Sequence, residues 1–132
     1  ANVGLWTWYA GEDRLWLTGE GQRLLGLAGT GPFALADLLA TADARDRPEL
    51  AAAFARARDG DGELAHEYRA ALPGDDGALA WRGIRGQPER GDAGEVRLIR
   101  GVVIDTSRRR NAELEREELR ADLGPRGQGG EL

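Results

Sequence analysis

Three runs of period-two alternation follow one another late in the chain, Leu64 to Leu72, Ala78 to Gln87 and Glu95 to Asp105. The breakers Pro73-Gly74-Asp75-Asp76-Gly77 and Gly91-Asp92-Ala93-Gly94 stand between them. Alternation of this kind sends successive side chains to opposite faces of an extended strand, so three consecutive antiparallel strands are expected. A second extended region opens the chain. Gly4 to Tyr9 places bulky residues at Trp6 and Trp8, Arg14 to Thr18 repeats the habit around Trp16, and Gly11-Glu12-Asp13 lies between them, the pattern of a hairpin.

Helical signals fill the space between. Glu20 to Leu25 predicts a short helix stopped by Gly26 and the Gly29 to Pro32 cluster, and Phe33 to Leu39 a short amphipathic one. Behind Asp46 and Pro48, the Ala-rich run Glu49 to Arg58 carries Leu50, Ala53, Phe54 and Ala57 on one face. From Ser107 to Leu123 the residues turn to Arg, Glu, Leu and Ala, with a narrow apolar stripe through Ala112, Leu114 or Glu115, Leu119 and Leu123. Gly124-Pro125 is expected to end that helix and to leave residues 127–130 outside the core. The order strand, strand, helices, three strands, helix implies an α+β fold, an antiparallel sheet with helices over one face.

A length of 132 residues fits one domain. The absence of cysteine excludes disulfides, thiolate metal sites and thiol nucleophiles. With 18 basic against 23 acidic side chains, the net charge of −5 has the wrong sign for a phosphate-backbone binder, and no nucleic-acid partner is expected. The run Arg108-Arg109-Arg110 is followed at once by Glu113, Glu115, Glu117 and Glu118, which reads as a solvated helix face with i to i+4 pairs. Apolar stretches fall far short of the roughly 20 residues that cross a bilayer, so no membrane insertion and a cytoplasmic home are expected. His66 stands alone on a strand without a nucleophile to serve. The Asp59/Asp61 and Asp75-Asp76 groups lie among glycines that make turns. Neither a catalytic set nor a metal site is expected.

Several strings resemble the PAS family of sensor domains, especially its bacterial members with a closing PAC motif. Gly4-Leu5-Trp6-Thr7-Trp8 through Leu15-Trp16-Leu17-Thr18 to Arg23-Leu24-Leu25-Gly26 is similar to the family's opening hairpin and first helix. Glu67-Tyr68-Arg69 and Trp81-Arg82 resemble its paired central strands. Gly101-Val102-Val103-Ile104-Asp105-Thr106-Ser107, with Arg109, Ala112 and Glu113, resembles the closing strand and the junction from which a signalling helix leaves. The resemblance spans residues 4–113. It implies a PAS fold: five antiparallel strands with short helices on one face and a C-terminal exit helix. The division that follows is a sensory domain over 1–107, a linker helix over 108–123 and a flexible tail over 124–132.

The resemblance also implies that one sheet face looks into a ligand cavity. Trp6, Trp8, Phe54, Glu67, Arg82, Ile84, Ile99, Gly101 and Val103 are the candidate lining. Glu67 and Arg82 are expected to meet there, either as a cross-strand ion pair, the plainer reading, or as the polar anchor of a ligand. Tyr68, Trp81, Leu98, Val102 and Ile104 are assigned to the opposite face, too apolar for water and so covered by the exit helix or a second copy. Asp105, Thr106 and Ser107 are the expected relay. The bound cofactor, if any, is left open. Haem is not expected, because family members carry the iron ligand on the helical side, and a cysteine-adduct flavin cannot form. The function implied is a non-catalytic sensory module of a sensor histidine kinase or cyclic-dinucleotide enzyme, homodimeric and covalently attached to an effector. The alternatives are a small-molecule receptor with a Glu67/Arg82/Trp pocket and a pure dimerisation module with a self-filled core.

Overall fold

The computed structural model describes residues 3–60, 62–71 and 80–130, with side chains through residue 121. In chain order the elements are β1 (Val3–Tyr9), β2 (Arg14–Leu17), α1 (Gly19–Leu25), α2 (Leu35–Ala40), α3 (Arg47–Arg58), β3 (Leu64–Arg69), β4 (Trp81–Arg90), β5 (Val96–Asp105) and α4 (Ser107–Gly130). The strands form one sheet in the order β2-β1-β5-β4-β3, with every neighbouring pair antiparallel. The tryptophan hairpin therefore joins the three late strands, its β1 against β5. The expected turn at Pro73 to Gly77 and the adjoining strand ends lie outside the described residues.

Local chemistry sets the helix positions. Thr18 precedes α1, and its hydroxyl accepts from the amides of Gly21 (3.1 Å) and Leu5 (3.0 Å), so one side chain caps the helix and pins it to β1. Gly26 ends α1 in the left-handed region at φ 77°, its N–H returning to Arg23 and Gln22. A side chain on Gly4 would collide with the backbone of Gly21, so glycine at both places lets α1 lie against the strand. Asp46 stands ahead of α3 but does not cap it. Its carboxylate instead grips Arg69, accepting from the backbone N (2.7 Å), Nε (2.9 Å) and Nη2 (2.5 Å), and so ties the start of α3 to the end of β3.

The core lies between the helices and one sheet face. Leu38, Leu50, Phe54 and Ala57 from the helices meet Trp6, Trp8, Leu64, Tyr68, Ile84, Ile99 and Val103 from the strands. Removing this apolar surface from water is the main force that holds the helices down. The exit helix differs from expectation at its far end, since α4 runs through Gly124-Pro125 to Gly130. A proline inside a helix removes one hydrogen bond without necessarily ending it.

Candidate functional site

Six of the residues assigned to the cavity, Trp6, Trp8, Phe54, Ile84, Ile99 and Val103, do come together, and they are buried. They make a packed interior. Gly101 stands between Trp6 and Gly86 across the sheet, and a Cβ on Gly86 would lie 2.7 Å from the indole of Trp6. A Cβ on Gly101 would run into the backbone of Arg85, whereas Gly86 forms a bare floor on which the Trp6 ring rests. Phe54 closes over it, 5.6 Å from Trp6 in a tilted arrangement and 5.8 Å from Trp8 edge-on. The polar ends of both indoles are engaged. Trp6 Nε1 donates to the Val102 carbonyl (3.0 Å) and Trp8 Nε1 to Asp13 (2.9 Å). Asp13 also accepts from the Leu35 amide (3.0 Å), and these two bonds hold its carboxyl below the usual range.

Glu67 and Arg82 do not meet. The register pairs Glu67 with Gly83 and Arg82 with Tyr68, which places them on opposite faces of the sheet. A one-residue slip of a strand exchanges its faces, and that is the error in the expected pairing. The same slip moves Tyr68: it is not on the docking face but in the core, 1% exposed. Burial pushes its phenol pKa up, against the pull of the nearby Arg82 charge. Arg82, on the inner face, donates from Nε to the Leu24 carbonyl that ends α1 (2.5 Å) and from Nη1 to the Trp81 carbonyl (3.0 Å). Nη1 also stands 3.5 Å from Asp105.

Trp81, Leu98, Val102 and Ile104 are on the outer face as expected. Pairing lays that face out in rows: Val3, Ile104, Gly83, Glu67; then Leu5, Val102, Arg85, Ala65; then Trp16, Thr7, Arg100, Gln87. Leu98 and Trp81 are buried, whereas Val3, Leu5 and Ile104 are 44%, 47% and 38% exposed and Trp16 is 54% exposed. A groove of about 310 Å³ follows the dip at Gly83, between Ile104 and the Glu67–Arg109 pair.

At the junction, Asp105 Oδ1 accepts from the Ser107 amide (2.8 Å), the Ser107 hydroxyl accepts from the Trp81 amide (2.8 Å), and the Thr106 amide donates to the Trp81 carbonyl (3.1 Å). Burial would raise the Asp105 pKa. The bonds from Ser107 and the charges of Arg82 and Arg23 outweigh it, and the carboxyl sits below its ordinary value. The first turn of α4 reaches back to the sheet as well. Arg109 Nη2 meets Glu67 at 2.6 Å, and the Arg110 guanidinium lies 4.4 Å from the Trp81 ring centroid. The sequence predicts a solvent-facing arginine run. Its i to i+4 pair Arg109–Glu113 forms (3.2 Å), and the two docking contacts had no local signal beyond the charges themselves.

One further opening lies on the helical side, a cleft of about 510 Å³ between the ends of α1 and α2 to which Arg82 contributes a wall. Among the described residues no cluster of three His, Asp or Glu side chains is placed to hold a metal ion, and no helix is long and apolar enough to cross a membrane.

Known structures repeat this architecture. A sensory box histidine kinase/response regulator from Burkholderia thailandensis superposes with a TM-score of 0.65 at 26% identity, covering 92% of each chain. The N-terminal domain of a diguanylate cyclase with a PAS/PAC sensor from Marinobacter aquaeolei matches at 0.66 and 20% identity, over 82% of this chain and 98% of its own. A structure reported for the adaptor-dependent degradation of a cell-cycle regulator matches at 0.59 and 29% identity, over 81% and 86%. No curated protein sequence matches significantly. The model of the PdeA-like PAS domain matches residues 1–99, and the chain belongs to that family.

Proposed function

We propose that this chain is the cytoplasmic sensory module of a multidomain signalling protein of the histidine kinase or cyclic-dinucleotide enzyme type. It catalyses no reaction itself and passes its state through Asp105, Thr106 and Ser107 into α4. One observation carries this reading: the first turn of α4 is fastened to the sheet by Ser107, Arg109 and Arg110. Past that turn, Leu119 is 61% exposed. A helix anchored at one end and bare beyond suits an element that hands movement to something attached. Likeness to a kinase and a cyclase sensor supports the same class of parent.

The exposed Val3, Leu5 and Ile104, with the half-buried Val102 between them, support self-association of this module through the outer sheet face, since an apolar patch open to water marks an interaction surface. Leu5→Glu places a charge within that patch. Sedimentation equilibrium should show a concentration-dependent dimer for the natural chain and a monomer for Leu5→Glu, with unchanged circular dichroism. In the parent protein, Arg109→Glu would set two like charges against each other at Glu67 and should change effector output while the domain stays folded. Unaltered output refutes the relay.

A further inference from the structure

The interior is filled by the protein's own rings, and the cleft between α1 and α2 is not. Its apolar wall comes from Leu24, Leu25, Leu27 and Ala40, and Arg82 stands at one end with Thr41 nearby. A volume of about 510 Å³ falls within the range of small-molecule sites.

The ends of two helices border this space, and bare carbonyls there would repel an anion. They are engaged. The Gly26 amide donates to the Arg23 carbonyl (3.1 Å) and the Leu27 amide to that of Gln22 (3.0 Å), while Arg82 Nε takes the Leu24 carbonyl. At α2, the Thr41 amide (3.0 Å) and hydroxyl (2.6 Å) both donate to the Leu38 carbonyl, and Arg47 Nη2 reaches that of Ala40 (3.3 Å). Asp37, an acid in the lining, accepts from the Ala34 amide (2.7 Å). Arg82 is held by Nε and Nη1, and its Nη2 makes no hydrogen bond among the described residues. A half-buried guanidinium, already oriented and with spare N–H donors beside the leucines of a mixed cleft, fits a carboxylate.

We propose that this cleft binds a small monocarboxylate with a short apolar body, its head on Arg82 Nη2 and its body against Leu24, Leu25 and Leu27. The assignment deepens the sensory reading and rests on it only for the consequence of binding. Asp105 lies 3.5 Å from Arg82 Nη1 and holds the Ser107 amide. A second carboxylate on the same guanidinium competes with Asp105 and loosens the start of α4.

Hexanoate, with 1-hexanol as its uncharged counterpart, tests this by amide chemical-shift titration of the whole chain. Saturable shifts are expected at residues 24–28, 40–41 and 70–71, with hexanol weaker by at least about tenfold, the loss of one charge-assisted hydrogen bond. Arg82→Gln should weaken hexanoate to the level of hexanol. Should that variant fail to fold, Ala40→Phe fills the cleft from an exposed position and leaves Arg82 intact, and it too should abolish the shifts. Equal binding of hexanoate and hexanol, shifts centred elsewhere, no saturation at millimolar concentrations, or unchanged binding by Ala40→Phe would each overturn the site. The amides of residues 107–110 answer the separate question. If hexanoate saturates the cleft while they stand still, the site holds and the relay fails. If hexanoate does not bind, the relay remains answerable to Arg109→Glu.

Discussion

Gly86→Ala is the sharpest test of whether the interior is closed by its own rings. The added Cβ would lie 2.7 and 2.8 Å from two atoms of the Trp6 indole and 2.9 Å from Ile99. Ordinary contact begins near 3.4 Å, so the indole would have to retreat by about 0.7 Å. It has no free direction: Phe54 lies above, the sheet below, and Trp6 is 1% exposed. Overpacking of this kind costs about 1–3 kcal/mol, which at this chain length lowers the melting temperature by several degrees. Urea unfolding followed by circular dichroism reads the cost directly. Trp6→Phe supplies the control, because a smaller ring clears the methyl group. Gly86→Ala should cost less in the Trp6→Phe background, with a coupling of about 1 kcal/mol or more. If the alanine costs under about 0.5 kcal/mol in the natural chain, or costs the same in both backgrounds, the interior has room that the packing argument denies.

Two other perturbations follow from the geometry. Thr18→Ala removes the oxygen that accepts from both Gly21 and Leu5, and should cost about 1–2 kcal/mol in chemical denaturation; a loss within error would show that α1 is positioned by packing alone. Arg69 above all holds the Asp46 carboxyl below its ordinary pKa. A group whose folded pKa is depressed contributes stability that is complete above its unfolded value near 4, and this is lost as pH falls through the folded value. Acid titration of stability should therefore steepen below about pH 4, and Asp46→Asn should flatten that limb while lowering stability near neutrality. An unchanged acid limb would remove this pair from the explanation.

The parts legible in the sequence were those with a local period. Trp6 and Trp8 alternate within one strand, and Leu50, Ala53, Phe54 and Ala57 share one helix face, so local spacing alone places both sets on the buried side. The short strand Leu64–Arg69 defeated the same reading. Its alternation puts Leu64, His66 and Tyr68 on one face and Ala65, Glu67 and Arg69 on the other, but each set mixes apolar and polar residues, so which one turns inward is fixed by the pairing of Tyr68 with Arg82. Placing Glu67 inward cost the site its acid and sent Tyr68 to the wrong side. Long-range contacts were illegible for a related reason: nothing near Arg109 or Arg110 in sequence announces Glu67 or Trp81. The helix end at Gly124-Pro125 was misjudged because a proline disfavours a helix interior without forbidding it.

The first two residues of β4 are tied to both sides of the sheet. Strand geometry sends neighbours to opposite faces, so Arg82 turns inward to the Leu24 carbonyl of α1 while Trp81 turns outward beneath Arg110 of α4. Both also bind the junction itself, Arg82 through Asp105 and Trp81 through the Ser107 hydroxyl. A displacement of α1 that drags Arg82 must move the peptide it shares with Trp81, and with it the seat of the exit helix. The filled core supports this coupling, because a strand backed by close-packed rings shifts as a unit instead of deforming locally. The proposed sensing at the helical edge and output from the opposite face then need no central cavity, only that one dipeptide.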